Sequence, residues 1–367
     1  MDKLTKTKVA GIPEGFKELQ FTTGEVTLNY VVGPDNGLPL LLIPGQMESW
    51  QGYKCVLPEL SKRFHIFVPD LRGHGKSTRT PGRYSYNICG NDLKAFIRGV
   101  IQKPALVAGL SSGAVLSLWL AANAPEDVLA VISEDPPIFS SVWPRIKDEK
   151  FMTHNFQVAV DTLGGEGERD PAKYLSQVGA PVDGKTELLK IPAFIVKIIS
   201  LLFRVNRALR PNSPYDAPVL PFNIRAGCMF LSEYDIDFSR ATIDGDLSKD
   251  FDPEATLKRV KCPVLLLWAH ATRHETWGII GALDENDLQR MKTLVNDLRA
   301  VEIPGAHEMH MVHPRRYIDE LVKFVDDLHE MNKLPAWNPK PYKTLAPQTS
   351  PSVDASPNPL FGFGEVG

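Results

Sequence analysis

Short apolar runs alternate with helical patterns along most of the chain. Each run is closed by glycine, proline or polar residues, as buried strands are. The apolar runs, taken with the turns that close them, cover 38–45, 65–75, 104–110, 127–137, 262–270 and 298–305. Amphipathic helical patterns cover 111–125, 284–298 and 314–331. This order predicts an α/β protein with a mostly parallel central sheet flanked by helices.

The alternation stops between Pro137 and Val260, which predicts a helical cap inserted into the core. The most apolar stretch of the cap, 191–203, is shorter than the ~20 residues of a membrane span. We therefore expect a buried or half-buried helix with one face on a pocket, and no stable membrane insertion. The predicted domains are a core at 1–137 and 259–332, a cap at 138–258 and a proline-rich disordered tail at 333–367.

Charge and cysteine content narrow the class of protein further. The chain has 367 residues with 41 Lys and Arg against 44 Asp and Glu, a net charge of −3. This balance gives no basic surface for nucleic acid. The four cysteines lie far apart and predict buried thiols. The first residues lack the apolar region of a signal peptide, so we expect a cytoplasmic protein. We expect it to be a monomer or a homodimer.

The sequence Gly-Leu-Ser-Ser-Gly at 109–113 has the form G-x-S-x-G, with Ser111 at its centre. In this motif a sharp turn from a strand into a helix holds an exposed, strained nucleophile. An apolar run ends just before the motif and a helical pattern follows it. The amide of Ser112 would then lie at a helix N-terminus and stabilise an oxyanion. Gln46, in the turn after the run at 38–45, is the candidate for the second amide donor.

Five segments together resemble the α/β-hydrolase superfamily: PGQMESW (44–50), DLRGHGKS (70–77), GLSSG (109–113), PEDVLAVISEDPP (125–137) and GAHEMHMVHP (305–314). They follow the order and the ordinary spacings of that family. The resemblance implies a nucleophile, an acid and a histidine in chain order, with a variable helical cap. It implies no cofactor. Ser111 excludes the dehalogenase and epoxide-hydrolase members, because these need an aspartate nucleophile.

His307 follows a strand and a glycine, as the catalytic histidine of that family does, and is the candidate base. His310 and His313 are expected to be loop residues or residues that support the catalytic side chains. Two groups could also be read as metal ligands, His307 with His310 and His313, and His270 with His274 and Glu275. Zinc ligands must converge on one ion, and a loop that leads into a helix at Pro314 disfavours this, so no metal is expected.

The acid departs from the usual family pattern. His270 occupies the position after the strand at 262–270 where most members carry aspartate, and Glu275 lies five residues further on. Zearalenone-type lactonases, which this chain resembles locally, place a glutamate at the end of the strand before the cap. The corresponding residue here is Asp135. Glu134, one residue earlier, would point to the opposite face of an extended strand, so Asp135 is the preferred acid, with Glu134 and Glu275 as alternatives.

These residues predict a serine hydrolase of the carboxylesterase or lactonase class, with Ser111, His307 and Asp135 as its triad. The expected partner is a small hydrophobic ester or lactone. Two alternatives remain open at this point. One is hydrolysis of a carbon–carbon bond on the same fold. The other is a ligand-binding receptor with an impaired triad, which the histidine at position 270 favours.

Overall fold

An eight-stranded sheet lies at the centre of the computed structural model, which describes residues 11–164, 169–210, 222–305, 307–338 and 340–345. Its strands are β1 (Lys17–Thr22), β2 (Thr27–Val32), β3 (Pro39–Ile43), β4 (His65–Pro69), β5 (Ala105–Leu110), β6 (Val128–Glu134), β9 (Val264–Trp268) and β12 (Leu298–Glu302). Two short ribbons, β7 (Gly179–Ala180) with β8 (Leu189–Lys190) and β10 (Thr272–His274) with β11 (Gly278–Ile280), lie outside it.

The strand order is β1-β2-β4-β3-β5-β6-β9-β12. The strands from β4 to β12 in this order run parallel, and β1 and β2 join as an antiparallel pair. Because the central strands are covered on both faces, they are apolar along their whole length, as β3 and β9 are (PLLLI and VLLLW). The predicted α/β fold class is confirmed.

Twelve α-helices are described, with these bounds: α1 (Leu57–Leu60), α2 (Tyr86–Phe96), α3 (Ser112–Asn123), α4 (Lys150–Leu163), α5 (Pro171–Leu175), α6 (Ala193–Leu209), α7 (Phe222–Glu233), α8 (Asp237–Asp244), α9 (Pro253–Arg259), α10 (Glu285–Leu294), α11 (Met309–Val312) and α12 (Pro314–Glu330). Helices α2, α3 and α9 contribute to the core on one face of the sheet, and α1 and α12 to the core on the other. Helices α4 to α8 lie in the segment between β6 and β9 that the sequence predicts as a cap.

Part of the predicted tail contacts the core. The indole ring of Trp337 lies 5.7 Å from the ring of Phe64, and the Arg63 guanidinium lies 5.5 Å from the Trp337 ring. Tyr342 and Leu345 pack against the same core. The structure therefore differs from the expectation of a tail that is disordered from 333 onward, and the rest of the tail, 346–367, lies outside the described residues.

No helix within the described residues is both long enough and apolar enough to cross a membrane. The apolar stretch at 191–203 forms most of α6. It buries Ile199 and Phe203, whereas Phe194, Ile198 and Leu201 are exposed.

Candidate active site

Ser111 lies at the junction of β5 and α3 with φ 54° and ψ −120°. This conformation is rare for a residue with a side chain and stores strain. The flanking glycines make the turn possible. A Cβ at Gly109 would lie 2.2 Å from the carbonyl oxygen of Gly113, and a Cβ at Gly113 would lie 2.3 Å from that of Ile43. The G-x-S-x-G spacing is therefore a packing requirement of this turn.

The two neighbouring serines have different environments. Ser111 is half-buried and borders a pocket at the carboxyl end of the sheet. The hydroxyl of Ser112 is buried and finds no hydrogen-bond partner among the described residues. The amide of Ser112 lies in the first turn of α3, where N–H groups have no acceptor within the helix.

Asp135 and His307 contact each other at the end of β6. The Nδ1 atom of His307 lies 2.6 Å from Oδ2 of Asp135, and the amide of Ala269 donates to Oδ1 at 3.2 Å. Asp135 is fully buried, and its own amide donates to the carbonyl of Leu267. His307 borders the same pocket as Ser111.

Burial alone would lower the pKa of His307, but the hydrogen bond and the negative charge of Asp135 outweigh it and raise that pKa to about 9. Burial raises the pKa of Asp135, and the hydrogen bond and charge of His307 oppose this rise. The pair therefore favours an imidazolium held against a carboxylate.

Glu134 binds a different histidine of the same loop. Its Oε1 accepts hydrogen bonds from the amide of His310 at 2.8 Å and from Nδ1 of His310 at 3.0 Å. Both side chains are fully buried, and the ring of Tyr53 stacks on His310 at 4.2 Å. Burial lowers the pKa of His310, but the charge of Glu134 outweighs burial and raises it. The sequence pattern does not predict this pair.

The turn after β3 brings Gln46 to the pocket. The Gln46 side chain donates to the Tyr234 hydroxyl at 3.0 Å and accepts from the Thr242 hydroxyl at 3.1 Å. These two contacts hold it against the cap. The amide of Gln46 has no acceptor among the described residues, so it is available to a ligand.

His74 supports this turn and was not singled out from the sequence. Its Nε2 accepts a hydrogen bond from the amide of Met47 at 3.2 Å, and its Nδ1 lies 3.0 Å from the carbonyl oxygen of Arg72. Burial lowers the pKa of His74 to about 4, so the ring is neutral and can accept at Nε2 while it donates at Nδ1. The dipeptide His74-Gly75 in DLRGHGKS (70–77) is the sequence feature that could have indicated this role.

Among the described residues, no hydrogen bond or ring contact joins the remaining sequence candidates to His307. His270 is exposed, and Glu275 is exposed in the turn between β10 and β11. His274 lies 3.1 Å from the carbonyl oxygen of Val182. No group of three or more His, Cys, Asp or Glu side chains suited to a metal ion occurs in the described parts of the chain.

The pocket is bounded by the core on one side and by α4, α5, α8 and β11 on the other. Its larger apolar side chains are Met47, Leu110, Phe151, Met152, Phe156 and Ile280. No residue of α6 borders it, so the expectation that this helix has one face on the pocket is wrong. Its buried residues, Ile199 and Phe203, belong to the large hydrophobic core instead.

Two further carboxyl groups border the pocket, those of Glu48 and Glu308, and both are buried. Burial raises the pKa of Glu48 and raises that of Glu308 to about 7. No lysine or arginine is among the described residues that border the pocket. The pocket is therefore apolar with an acidic side.

A strained serine and a histidine paired with a buried carboxylate border one pocket at the carboxyl end of a mostly parallel sheet, an arrangement typical of hydrolases of the α/β class. The family model for the alpha/beta hydrolase fold matches residues 39–180. The 2-(acetamidomethylene)succinate hydrolase of Mesorhizobium japonicum is 31% identical over 304 residues, which cover 83% of this chain and 93% of that protein. This chain belongs to the alpha/beta hydrolase family.

Other matches are partial or distant. The magnesium-chelatase 30 kDa subunit of Rhodobacter capsulatus is 36% identical over 94 residues, 25% of this chain and 33% of that protein. The chain thus matches about a third of the length of this relative. The crystal structure of E-2-(acetamidomethylene)succinate hydrolase superposes with a TM-score of 0.56 at 20% identity and covers 85% of this chain and 99% of that one. At this identity the superposition shows the fold.

Proposed function

We propose that the protein is a serine hydrolase that cleaves an uncharged carboxylic ester or lactone of a hydrophobic small molecule. The contact of 2.6 Å between His307 and Asp135, in a pocket that Ser111 also borders, carries this proposal. An unaided serine hydroxyl is a weak nucleophile, and a histidine oriented by a carboxylate is the usual way to activate it.

The proposed reaction starts when Ser111 attacks the carbonyl carbon and gives its proton to Nε2 of His307. Asp135 accepts the Nδ1–H hydrogen bond, which fixes the tautomer and stabilises the imidazolium. The amides of Gln46 and Ser112 stabilise the negative oxygen of the tetrahedral intermediate. The ester C–O bond then breaks, and the leaving alcohol takes the proton from His307. Water attacks the acyl-enzyme in the same way and releases the acid.

The lining of the pocket supports an uncharged substrate. The Mesorhizobium relative is named for a succinate derivative, and succinate carries two carboxylates. Proteins ordinarily bind carboxylates with arginine or lysine, and neither borders this pocket among the described residues. Glu48 and Glu308 supply no positive charge, and each would repel an anion in its ionised form. The apolar side chains around them favour a bulky hydrophobic acyl group or ring over an acetate.

The alternatives from the sequence receive less support. The receptor hypothesis depends on His270 in the usual acid position, but a carboxylate contacts His307 from a different strand end, at Asp135. Nothing in the pocket specifically favours carbon–carbon cleavage over ester cleavage. We further propose that the protein acts in the cytoplasm as a monomer or homodimer.

The test is covalent labelling by a fluorophosphonate, followed by turnover of a panel of esters and lactones. We expect labelling and turnover in the wild-type protein and in Ser112→Ala, because alanine keeps the amide of residue 112. Ser111→Ala should lose both, with turnover lower by several orders of magnitude. Labelling that survives in Ser111→Ala but disappears in Ser112→Ala would contradict the assignment. A preference for carboxylate-bearing esters would contradict the proposed substrate class.

A further inference from the structure

Helix α6 exposes a continuous apolar stripe on the outside of the cap. Its members are Phe194, Ile198, Leu201, Val205 and Leu209, with exposed fractions between 47% and 76%. They are separated by four, three, four and four residues, so they lie along one face of the helix. We call these five residues the cap stripe.

The opposite face of α6 packs against the rest of the fold. Ile199 and Phe203 are buried in the core, and the hydroxyl of Ser200 donates to Asp170 at 2.5 Å. Within the described parts of the chain, no residue of the cap stripe belongs to a hydrophobic core. The cap stripe also stands apart from the rest of the surface. Among the described residues, eleven large apolar side chains are exposed, and five of these eleven form the cap stripe. Such a concentration marks an interaction surface.

The charges of α6 indicate what binds there. The helix contains three basic residues, Lys197, Arg204 and Arg207, and no acidic residue, whereas the whole chain has a net charge of −3. Lys197 and Arg204 are exposed, and the spacing of the helix places both on one flank of the cap stripe. Arg204 lies 3.9 Å from Asp170 and is still 64% exposed. Apolar residues beside basic ones are the pattern of a helix that lies in the surface of an anionic membrane.

A second copy of the chain fits this surface less well. A symmetric dimer places the same patch against itself, and would bring the basic residues of one α6 close to those of the other. An anionic lipid surface supplies the opposite charge instead. We infer that α6 docks the protein on an anionic lipid surface, with the cap stripe among the acyl chains and its basic flank at the headgroups. No residue enters the membrane core as a span, and the inference does not depend on the proposed hydrolysis.

The experiment is flotation of the full chain with vesicles of phosphatidylcholine alone or mixed with phosphatidylserine. The double variant Ile198→Glu/Leu201→Glu disrupts the cap stripe at exposed positions. Met331→Glu is the matched control, because Met331 is also exposed and apolar but lies after α12. Lys197→Glu/Arg204→Glu changes only the basic flank. Thermal unfolding of each variant verifies that it is folded.

We expect the wild type and Met331→Glu to float with the anionic vesicles, and the cap-stripe variant to stay in solution. The basic-flank variant should bind at least about 25-fold more weakly, at roughly fivefold for each basic residue removed. Three outcomes would overturn the inference. The wild type could fail to float with either vesicle, Met331→Glu could lose binding equally, or light scattering could show a dimer that Ile198→Glu/Leu201→Glu dissociates.

Discussion

Replacing Asp135 with asparagine tests the proposed acid most directly. Asparagine keeps the size of the side chain but removes the charge that His307 contacts at 2.6 Å. The pKa of His307 is raised from 6.5 to about 9, and at about 1.4 kcal/mol for each pKa unit this corresponds to about 3 kcal/mol in favour of the imidazolium. The reaction needs that imidazolium in its transition state, so much of this stabilisation is lost from catalysis.

The expected loss in kcat is roughly 10³- to 10⁴-fold, or about 4–5.5 kcal/mol. The net rise in the pKa of His307 corresponds to about 3 kcal/mol, and the contribution of Asp135 is larger, because it also offsets the effect of burial. The tautomer adds to the loss, because asparagine can present its amide N–H to Nδ1 and leave the proton on the wrong nitrogen.

The pH profile provides an independent readout. His307 must be unprotonated to accept the proton of Ser111, so kcat/KM rises with pH through the pKa of His307. In the wild type this rise should be centred near pH 9. Without the carboxylate, burial lowers the pKa of His307, and only the more weakly acting charges of Glu308 and Glu134 oppose it. The rise in Asp135→Asn should therefore move to clearly lower pH than in the wild type.

The assay is the steady-state hydrolysis of one neutral ester, whose alcohol does not ionise, over the pH range in which each variant stays folded. Glu275→Gln is the matched control, because this carboxylate is exposed between β10 and β11, and its kcat should stay within about tenfold of wild type. The reasoning is refuted if Glu275→Gln is the crippled variant, or if Asp135→Asn keeps the wild-type profile.

Three further substitutions test residues that hold the candidate site in place. Gly113→Ala should destabilise the fold by at least about 2 kcal/mol in urea unfolding, because its Cβ would lie 2.3 Å from the Ile43 carbonyl oxygen; unchanged stability would contradict the packing of the elbow. His74→Ala leaves the Met47 amide without its acceptor and should lower kcat by roughly 5- to 150-fold, with a control in the exposed His270. Glu134→Gln should lower the free energy of unfolding by about 3 kcal/mol, while kcat stays within about tenfold of wild type. A loss of activity without a loss of stability would instead give Glu134 a role in catalysis.

The elements that are buried on all sides were predictable from the sequence. β5 and α3 lie within two residues of the predicted bounds, since an apolar strand and the helix packed on it each leave a clear pattern. β1 and β2 were missed. The side chains of β1 are exposed or half-buried along its length, and its stability comes from its partner strand. β2 is buried at its centre, but the polar Asn29 interrupts its apolar run. No local pattern encodes the pairing of β1 with β2.

The cap shows why surface helices are harder to predict. Apolar residues occur on both the exposed and the buried face of α6, apart from its basic flank. The sequence therefore predicts burial or half-burial but cannot say what covers each face. The structure buries the side that carries Ile199 and Phe203 and leaves Leu201 and Leu209 exposed. Which side faces the core depends on contacts with distant segments such as α5, and the hydrophobic pattern of α6 holds no information about them.

Asp135 contacts His307, but the alternation of side chains along a strand does not explain this contact, because β6 ends at Glu134 and Asp135 has φ 45°. Asp135 and Glu134 each bind a different histidine of the loop that follows β12. The second pair could not be predicted, because the path of the loop decides which residue meets Glu134. Since His310 also donates its amide to Glu134, the loop is anchored three residues beyond His307. Two adjacent carboxylates thus bind one loop at the end of β6: Asp135 contacts His307, the proposed base, and Glu134 accepts from the amide of His310.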